Sequence, residues 1–216
     1  MVTRLRTPLH LIAATLLLAG CGEPESGPVA ISAVGGAPRI LDPNRAPLDA
    51  PSAVLAGAAA QGLVRFDAGG EIEPALAQRW IVSDDGLRYT FRLGKAEWEG
   101  GGGRVTAEQA VARLRAAAAP ASRNPLKPIL GAIDEIVVMT DDVLEISLKS
   151  PRPNFLQLLA QPEMAIVRAG RGAGPYAAQG QPDGAVRLRL ARREEGEEER
   201  APPPLLLLRG EPATAA

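Results

Sequence analysis

Apolar and polar positions alternate with a period of two in two stretches of the chain, as expected for half-buried β-strands. The first stretch, residues 87–93, follows a turn-forming Ser-Asp-Asp-Gly sequence, and the second, residues 143–149, follows a Thr-Asp-Asp turn. Each pattern predicts a hairpin whose second strand has one apolar and one solvated face, and residues 133–139 supply the first strand of the second hairpin. The apolar positions are Leu87, Tyr89, Phe91 and Leu93, and Leu144, Ile146 and Leu148.

Two segments carry the pattern of helices. The sequence TAEQ begins at Thr106 and predicts a capping box with Gln109, followed by a helix that ends before Pro120. Ser52 is predicted to cap a second helix over residues 53–61, which Gly62 would end.

Shorter apolar runs predict the remaining elements. They are a buried strand at residues 29–34, strands at 63–66, 164–168 and 186–190, a short helix at 155–160, and a strand and turn within 205–216. Hairpins interleaved with single helices predict a mixed α/β fold.

The N-terminal pattern is different, because about ten apolar residues follow Arg4 and Arg6 without a polar face. This is typical of a secretory signal and is too short to span a bilayer. The alternative is a buried helix with a core cysteine. Such a helix would have a polar face and a cap, and the run has neither. The sequence LAGC, residues 18–21, resembles the lipobox of bacterial lipoproteins. The resemblance implies cleavage after residue 20, lipidation of Cys21, and a tether over residues 22–28.

Removal of residues 1–20 changes the chemistry available to the chain. His10 is the single histidine and would leave with the signal, while Cys21, the single cysteine, would be modified. Cys-His or Ser-His catalysis and zinc sites of His and Cys are therefore excluded, and we expect no enzyme, metal or cofactor. Loss of Arg4 and Arg6 with the signal makes the formal net charge of −1 more negative by two. A negative chain does not favour nucleic-acid binding.

Paired carboxylates are the other candidates for catalysis. The Asp-Asp pairs at 84–85 and 141–142 fall in the predicted hairpin turns, where aspartate is favoured for its bonds to the backbone. Glu97 and Glu99 lie at strand spacing on one face, which we expect to be solvated.

Several stretches in a fixed order carry a resemblance over about 170 residues. From Leu41 onward the chain resembles the solute-binding proteins of bacterial ABC importers in the peptide, nickel and opine group, extracellular solute-binding family 5. The matching stretches are LDP (41–43), QGLVRFDAGGEIEPALAQRW (61–80), SDDGLRYTFRL (83–93), VTAEQAV (105–111), VLEISLKSPRPNFLQLLA (143–160) and GAGPY (172–176). The glycine-rich EWEGGGGRVT departs from the family's usual sequence before the helix.

The resemblance implies a periplasmic-binding-protein-like (type II) first lobe with an inserted mixed α/β subdomain. Residues 29–50 and 165–216 would form part of the first lobe, and residues 51–164 the subdomain. Members of the family hold their ligand between two lobes. We expect the second lobe to be absent here, so that the chain corresponds to the N-terminal portion of such a protein.

The implied function is that of a substrate-binding lipoprotein of an ABC importer, or its truncated N-terminal part. It would capture peptides or similar small solutes for a permease, on the periplasmic side of the bacterial cell envelope, held to the membrane by its lipid. The alternative is an envelope lipoprotein that serves as an interaction or scaffold module without a transported ligand.

The resemblance also implies candidate ligand-binding residues. The chain after LDP runs along the ligand cleft in the family, and the GAGPY segment lies near it. The residues that match these positions are Pro47, Leu48, Asp49, Ala50 and Tyr176. For Asp49 the alternative is an ordinary capping role ahead of the predicted helix.

Overall fold

The computed structural model describes residues 28–191 and 205–212. The strands are β1 (Val29–Val34), β2 (Val64–Phe66), β3 (Ile72–Pro74), β4 (Ala77–Val82), β5 (Arg88–Leu93), β6 (Ile133–Thr140), β7 (Val143–Leu148), β8 (Tyr176–Gly180), β9 (Val186–Leu190) and β10 (Leu205–Glu211). The helices are α1 (Ala50–Ala59), α2 (Ala107–Ala118), α3 (Lys127–Leu130) and α4 (Phe155–Leu159), and a 3-10 turn covers Pro162–Met164. The predicted mixed α/β class is confirmed.

The two predicted hairpins form one antiparallel sheet, in the order β4-β5-β7-β6. Its inner face carries the apolar positions of both patterns. Phe91 lies opposite Leu144, Tyr89 lies opposite Ile146, and all four side chains are buried. The period of two therefore predicted both the strands and the face that is buried.

Helix α2 begins at the predicted capping box. The Gln109 N–H donates to Thr106 Oγ1 at 3.3 Å, and the Thr106 N–H donates to Gln109 Oε1 at 3.3 Å. The helix ends at Ala118, ahead of Pro120. Its apolar face lies on β6 and β7 and joins their buried cluster through Val111 and Leu114.

A second four-stranded sheet has the order β1-β10-β9-β8. Strand β1 runs parallel to β10, and the other pairs are antiparallel. The strand predicted at residues 29–34 is present, but its predicted burial is wrong, since Val29 is 49% and Val34 62% exposed. The reason is position, because β1 lies at the edge of its sheet among the described residues.

Helix α1 covers one face of this second sheet. Leu55 and Ala59 pack with Leu188, Leu208 and Tyr176 in one buried cluster. The helix thus contacts β1, β8 and β10, although all of its residues after Ala50 lie on the subdomain side of the predicted division. The division at residues 50 and 165 stays a prediction.

The strand predicted at residues 164–168 is wrong. The 3-10 turn is followed by a buried extended segment, in which the Ile166 N–H donates to the Gln61 carbonyl at 3.0 Å. A tight turn follows, with Arg168 and Arg171 exchanging two backbone hydrogen bonds of 3.0 Å. An apolar run marks burial here, but a strand also needs a neighbour with which to form a ladder.

Trp98 connects loop 97–104 to two other parts of the molecule. It is 2% exposed, and its Nε1 donates to Gln109 Oε1 of helix α2 at 2.8 Å. The Arg168 guanidinium lies over the indole at 4.9 Å from the ring centroid and donates to the Gly102 carbonyl at 3.1 Å. The indole is therefore held between a helix and a turn that are distant in sequence.

Glu99 in the same loop reaches the edge of the second sheet. Its Oε1 accepts a 2.9 Å hydrogen bond from the Ala178 N–H of β8, and its own N–H donates to the Gly172 carbonyl at 2.9 Å. Both glutamates were predicted to lie on a solvated face. This prediction is wrong for Glu99, which is partly buried and bonded to β8, and right for Glu97, which is exposed. The carboxylate satisfies a donor at a strand edge, which is otherwise open to pairing with another chain.

Asn124 joins three further segments. It is 3% exposed, and its Nδ2 donates to the Glu163 carbonyl at 2.7 Å and to Asn44 Oδ1 at 3.0 Å. Its Oδ1 accepts from the Leu126 N–H at 3.0 Å. The loop after Leu41 is thereby fixed to the start of α3 and to the 3-10 turn.

Candidate functional site

A shallow depression of about 270 Å³ lies where the parallel strands β1 and β10 end. Its lining comes from residues 35–37 after β1, residues 183–185 between β8 and β9, and residues 209–212 at the end of β10. The carboxyl ends of parallel strands are the usual place for ligands in open α/β sheets. The depression and the one parallel strand pair described in this sheet together make this end the candidate site.

An ion pair supplies the charge in the depression. Arg209 Nη2 lies 2.8 Å from Asp183 Oδ2, and both side chains are close to half exposed. A hydrogen bond from the Ala185 N–H holds the pKa of the Asp183 carboxyl below its ordinary value, and Arg209 lowers it further. The depression thus presents the Asp183–Arg209 ion pair to a solute, and Glu211 also contributes to its lining.

Two glycines allow the floor of the depression to form. A Cβ on Gly210 would lie 2.6 Å from the Gly36 carbonyl carbon and would overlap its oxygen, so the two backbones meet without side chains between them. Beside this contact, the Gly35 N–H donates to the Glu211 carbonyl at 2.8 Å. The end of β10 is in this way fixed to the loop after β1.

Asp49 is the N-cap of α1, in place of the predicted Ser52. Its Oδ1 accepts from the Ser52 N–H at 3.1 Å, and the helix runs from Ala50 to Ala59 instead of from 53 to 61. Pro51 suits the first turn because it has no N–H to satisfy. The bonds from Ser52 hold the pKa of the Asp49 carboxyl below its ordinary value.

The other predicted ligand-binding residues differ in their exposure. Pro47 and Ala50 are exposed, while Leu48 packs on the small cluster that includes Val167. Tyr176 is 6% exposed beneath α1, and burial raises the pKa of its phenol. Their contact with a solute stays a prediction.

The sequence interpretation missed the residues that line the depression. Two signals were available: the glycine pair directly after β1, and the Asp-Gly turn at residues 183–184. Each is common in loops, so neither indicates a site until the sheet brings them together.

Cys21 lies outside the described residues. Within residues 28–191 and 205–212, no helix combines the length and apolarity that crossing a bilayer requires. The same residues hold no group of three or more His, Cys, Asp or Glu side chains placed to bind a metal ion.

Curated proteins with similar sequences are binding proteins by name. The probable deoxycholate-binding periplasmic protein YgiS of Escherichia coli (strain K12) is 33% identical over 121 residues, which cover 48% of this chain and 23% of YgiS. The glutathione-binding protein GsiB of the same strain is 30% identical over 154 residues, 71% of this chain and 30% of GsiB. The chain spans less than a third of the length of these relatives.

Solved structures share the fold at low sequence identity. Haemophilus influenzae OppA in complex with RPPGFSPFR gives a TM-score of 0.71 at 18% identity, over 85% of this chain and 42% of that one. DppA from Helicobacter pylori in complex with the peptide STSA gives 0.66 at 22% identity, over 86% and 43%. The described fold therefore corresponds to part of the first lobe of a periplasmic-binding-protein-like structure.

The family match agrees with the fold. Residues 71–195, more than half of the chain, match the model of bacterial extracellular solute-binding proteins, family 5 Middle. The chain belongs to the bacterial extracellular solute-binding proteins of family 5.

Proposed function

We propose that this chain is the substrate-binding lipoprotein, or the N-terminal part of one, of an ABC importer, and that it captures a peptide or similar small solute. The observation that carries the proposal is the family match over residues 71–195. The depression at the carboxyl ends of β1 and β10 supports it, because it offers an ion pair and close backbone groups to a polar solute.

The partner in this proposal is the permease of the importer, and the chain acts on the periplasmic side of the cell envelope. Binding without covalent chemistry needs shape, charge and hydrogen bonds, which the depression provides on one side of a ligand. A ligand held from one side stays partly in water, so we expect affinity in the millimolar range, about −4 kcal/mol.

The binding test uses isotope-labelled protein purified from the envelope in detergent. Addition of a mixed di- to pentapeptide library at millimolar concentration is expected to shift the amide resonances of Gly36, Gly184 and Gly210. The same library and nickel are expected to leave the thermal midpoint unchanged, because the proposed site is weak. A site that binds strongly would add roughly 2.7 kcal/mol to the free energy of unfolding at 100 times its Kd. Resonances that do not move with any peptide, nickel complex or opine would instead favour the scaffold function.

The proposed membrane anchor has its own test. Cys21→Ser is expected to abolish incorporation of a radioactive or alkyne-bearing fatty acid, because the serine hydroxyl replaces the thiol that carries the lipid. The labelled band on a gel is the measurement, and the unmodified chain expressed in parallel is the control. Equal labelling of the two proteins would contradict the anchor.

A further inference from the structure

We propose that Asp49 is a positioning residue for the depression: it fixes the backbone of residues 35–37 through the Gly36 N–H, and solute affinity depends on it without direct contact. The part of this proposal that concerns affinity rests on the proposed function. The part that concerns the backbone stands on the geometry alone.

The two oxygens of the Asp49 carboxylate bind different parts of the chain. Oδ1 accepts from the Ser52 N–H at 3.1 Å and caps helix α1, while Oδ2 accepts from the Gly36 N–H at 3.0 Å. The start of the helix favours a negative charge at this position. One side chain thus joins the helix under the sheet to the loop that lines the depression.

The loop needs such a bond because its sequence does not fix its conformation. Gly35 and Gly36 have no side chains to pack, and glycine adopts many backbone conformations at similar cost. Gly35 has a φ of 154°, and a Cβ there would lie 2.5 Å from Pro51 Cδ, so another residue is not accommodated. Hydrogen bonds must therefore select the observed conformation.

Among the described residues, three hydrogen bonds hold residues 35–39, and side chains at the start of α1 accept two of them. The Gly35 N–H donates to Glu211, the Gly36 N–H to Asp49, and the Arg39 N–H to Ser52 Oγ at 3.3 Å. The bond donated by Gly36 lies between the other two and has a charged acceptor. It is therefore the bond that we expect to contribute most to fixing the conformation of the loop.

Two substitutions separate the cap from the link to Gly36. Asp49→Asn can still accept from the Ser52 N–H, but its amide nitrogen would face the Gly36 N–H. Asp49→Ser also caps well, but its single hydroxyl does not serve both donors. Asp49→Ala removes both functions. Asp84→Asn, an exposed aspartate in the turn before β5, is the matched control.

The first measurement is amide hydrogen exchange at Gly36 in the full chain. Exchange is expected to be about tenfold faster in Asp49→Asn and Asp49→Ser, since a bond to a charged group is lost. The thermal midpoint is expected to stay near that of the unmodified chain, and Asp84→Asn should change neither value. Unchanged exchange at Gly36 in both variants would overturn the proposal, and if one variant does not fold, the other supplies the measurement.

The second measurement is peptide titration followed at Gly184 and Gly210, which belong to two different segments of the lining of the depression. The apparent Kd is expected to rise about tenfold in Asp49→Asn, parallel to the change in exchange. Faster exchange with an unchanged Kd would overturn the dependence of affinity on Asp49. A titration in which the unmodified chain shows no response overturns the proposed function, while the exchange result still decides the role of Asp49 in the loop.

Discussion

Trp98→Ala is expected to lower the free energy of unfolding by about 3–5 kcal/mol, the range for removal of a large buried aromatic side chain. The indole is almost fully buried, and the substitution also removes its bond to Gln109 and the ring under Arg168. Since small proteins are stable by only about 5–15 kcal/mol, much of the stability would be lost. Urea unfolding followed by circular dichroism measures the change.

The chain contains a matched control, because it has two tryptophans. Trp80 is only partly buried, so Trp80→Ala is expected to have a clearly smaller effect. Trp98→Phe keeps most of the apolar volume and loses the bond to Gln109, so it should fall between the two. A cost for Trp98→Ala no greater than that for Trp80→Ala would contradict the structural role of loop 97–104.

Asn124→Ala is expected to lower the free energy of unfolding by about 2–3 kcal/mol, because it leaves part-buried backbone groups without hydrogen bonds. The Glu163 carbonyl and the Leu126 N–H would lose their partner, and Asn44 Oδ1 would lose its bond from Asn124. The midpoint of urea unfolding reports the loss.

Asn154→Ala is the control for this prediction. Asn154 precedes α4, is exposed, and makes no side-chain capping bond. Its substitution is expected to change stability by less than about 0.5 kcal/mol. Similar effects at the two asparagines would show that Asn124 does not hold the three segments together.

The parts of the fold that were predicted from sequence depend on contacts between near neighbours. The capping box of α2 needs only Thr106 and Gln109, and the strands β5 and β7 show their buried face within six residues each. The period of two also predicted correctly which face of each strand is buried, because both strands lie in the middle of their sheet.

The parts that were wrong depend on distant residues. The exposure of Val34 follows from the place of β1 at an edge of its sheet, which the apolar run does not reveal. Asp49 and Ser52 are both good capping residues, and the choice of Asp49 agrees with its second bond to Gly36, thirteen residues earlier. Glu99 binds β8 for the same kind of reason, since Ala178 comes near it only in the folded chain.

The candidate site was the least predictable part. Its three segments lie at residues 35–37, 183–185 and 209–212, and the pairing of β1 with β10 brings the first and last together. None of them has the sequence of a recognisable motif for a nucleophile, an acid or a metal ligand. The resemblance indicated the class of protein, and the topology was needed to find the depression.

The parallel pairing of β1 with β10 also has a consequence for the order in which the chain folds during synthesis. The sheet formed by β4 to β7 lies within residues 77–148, so it can form while later residues are still being added. Among the described strands β1 is made first, but Val29 pairs with Leu206, so its partner emerges after all the other described strands. Until the residues of β10 are available, β1 lacks this partner, and such a strand edge is open to pairing with another chain.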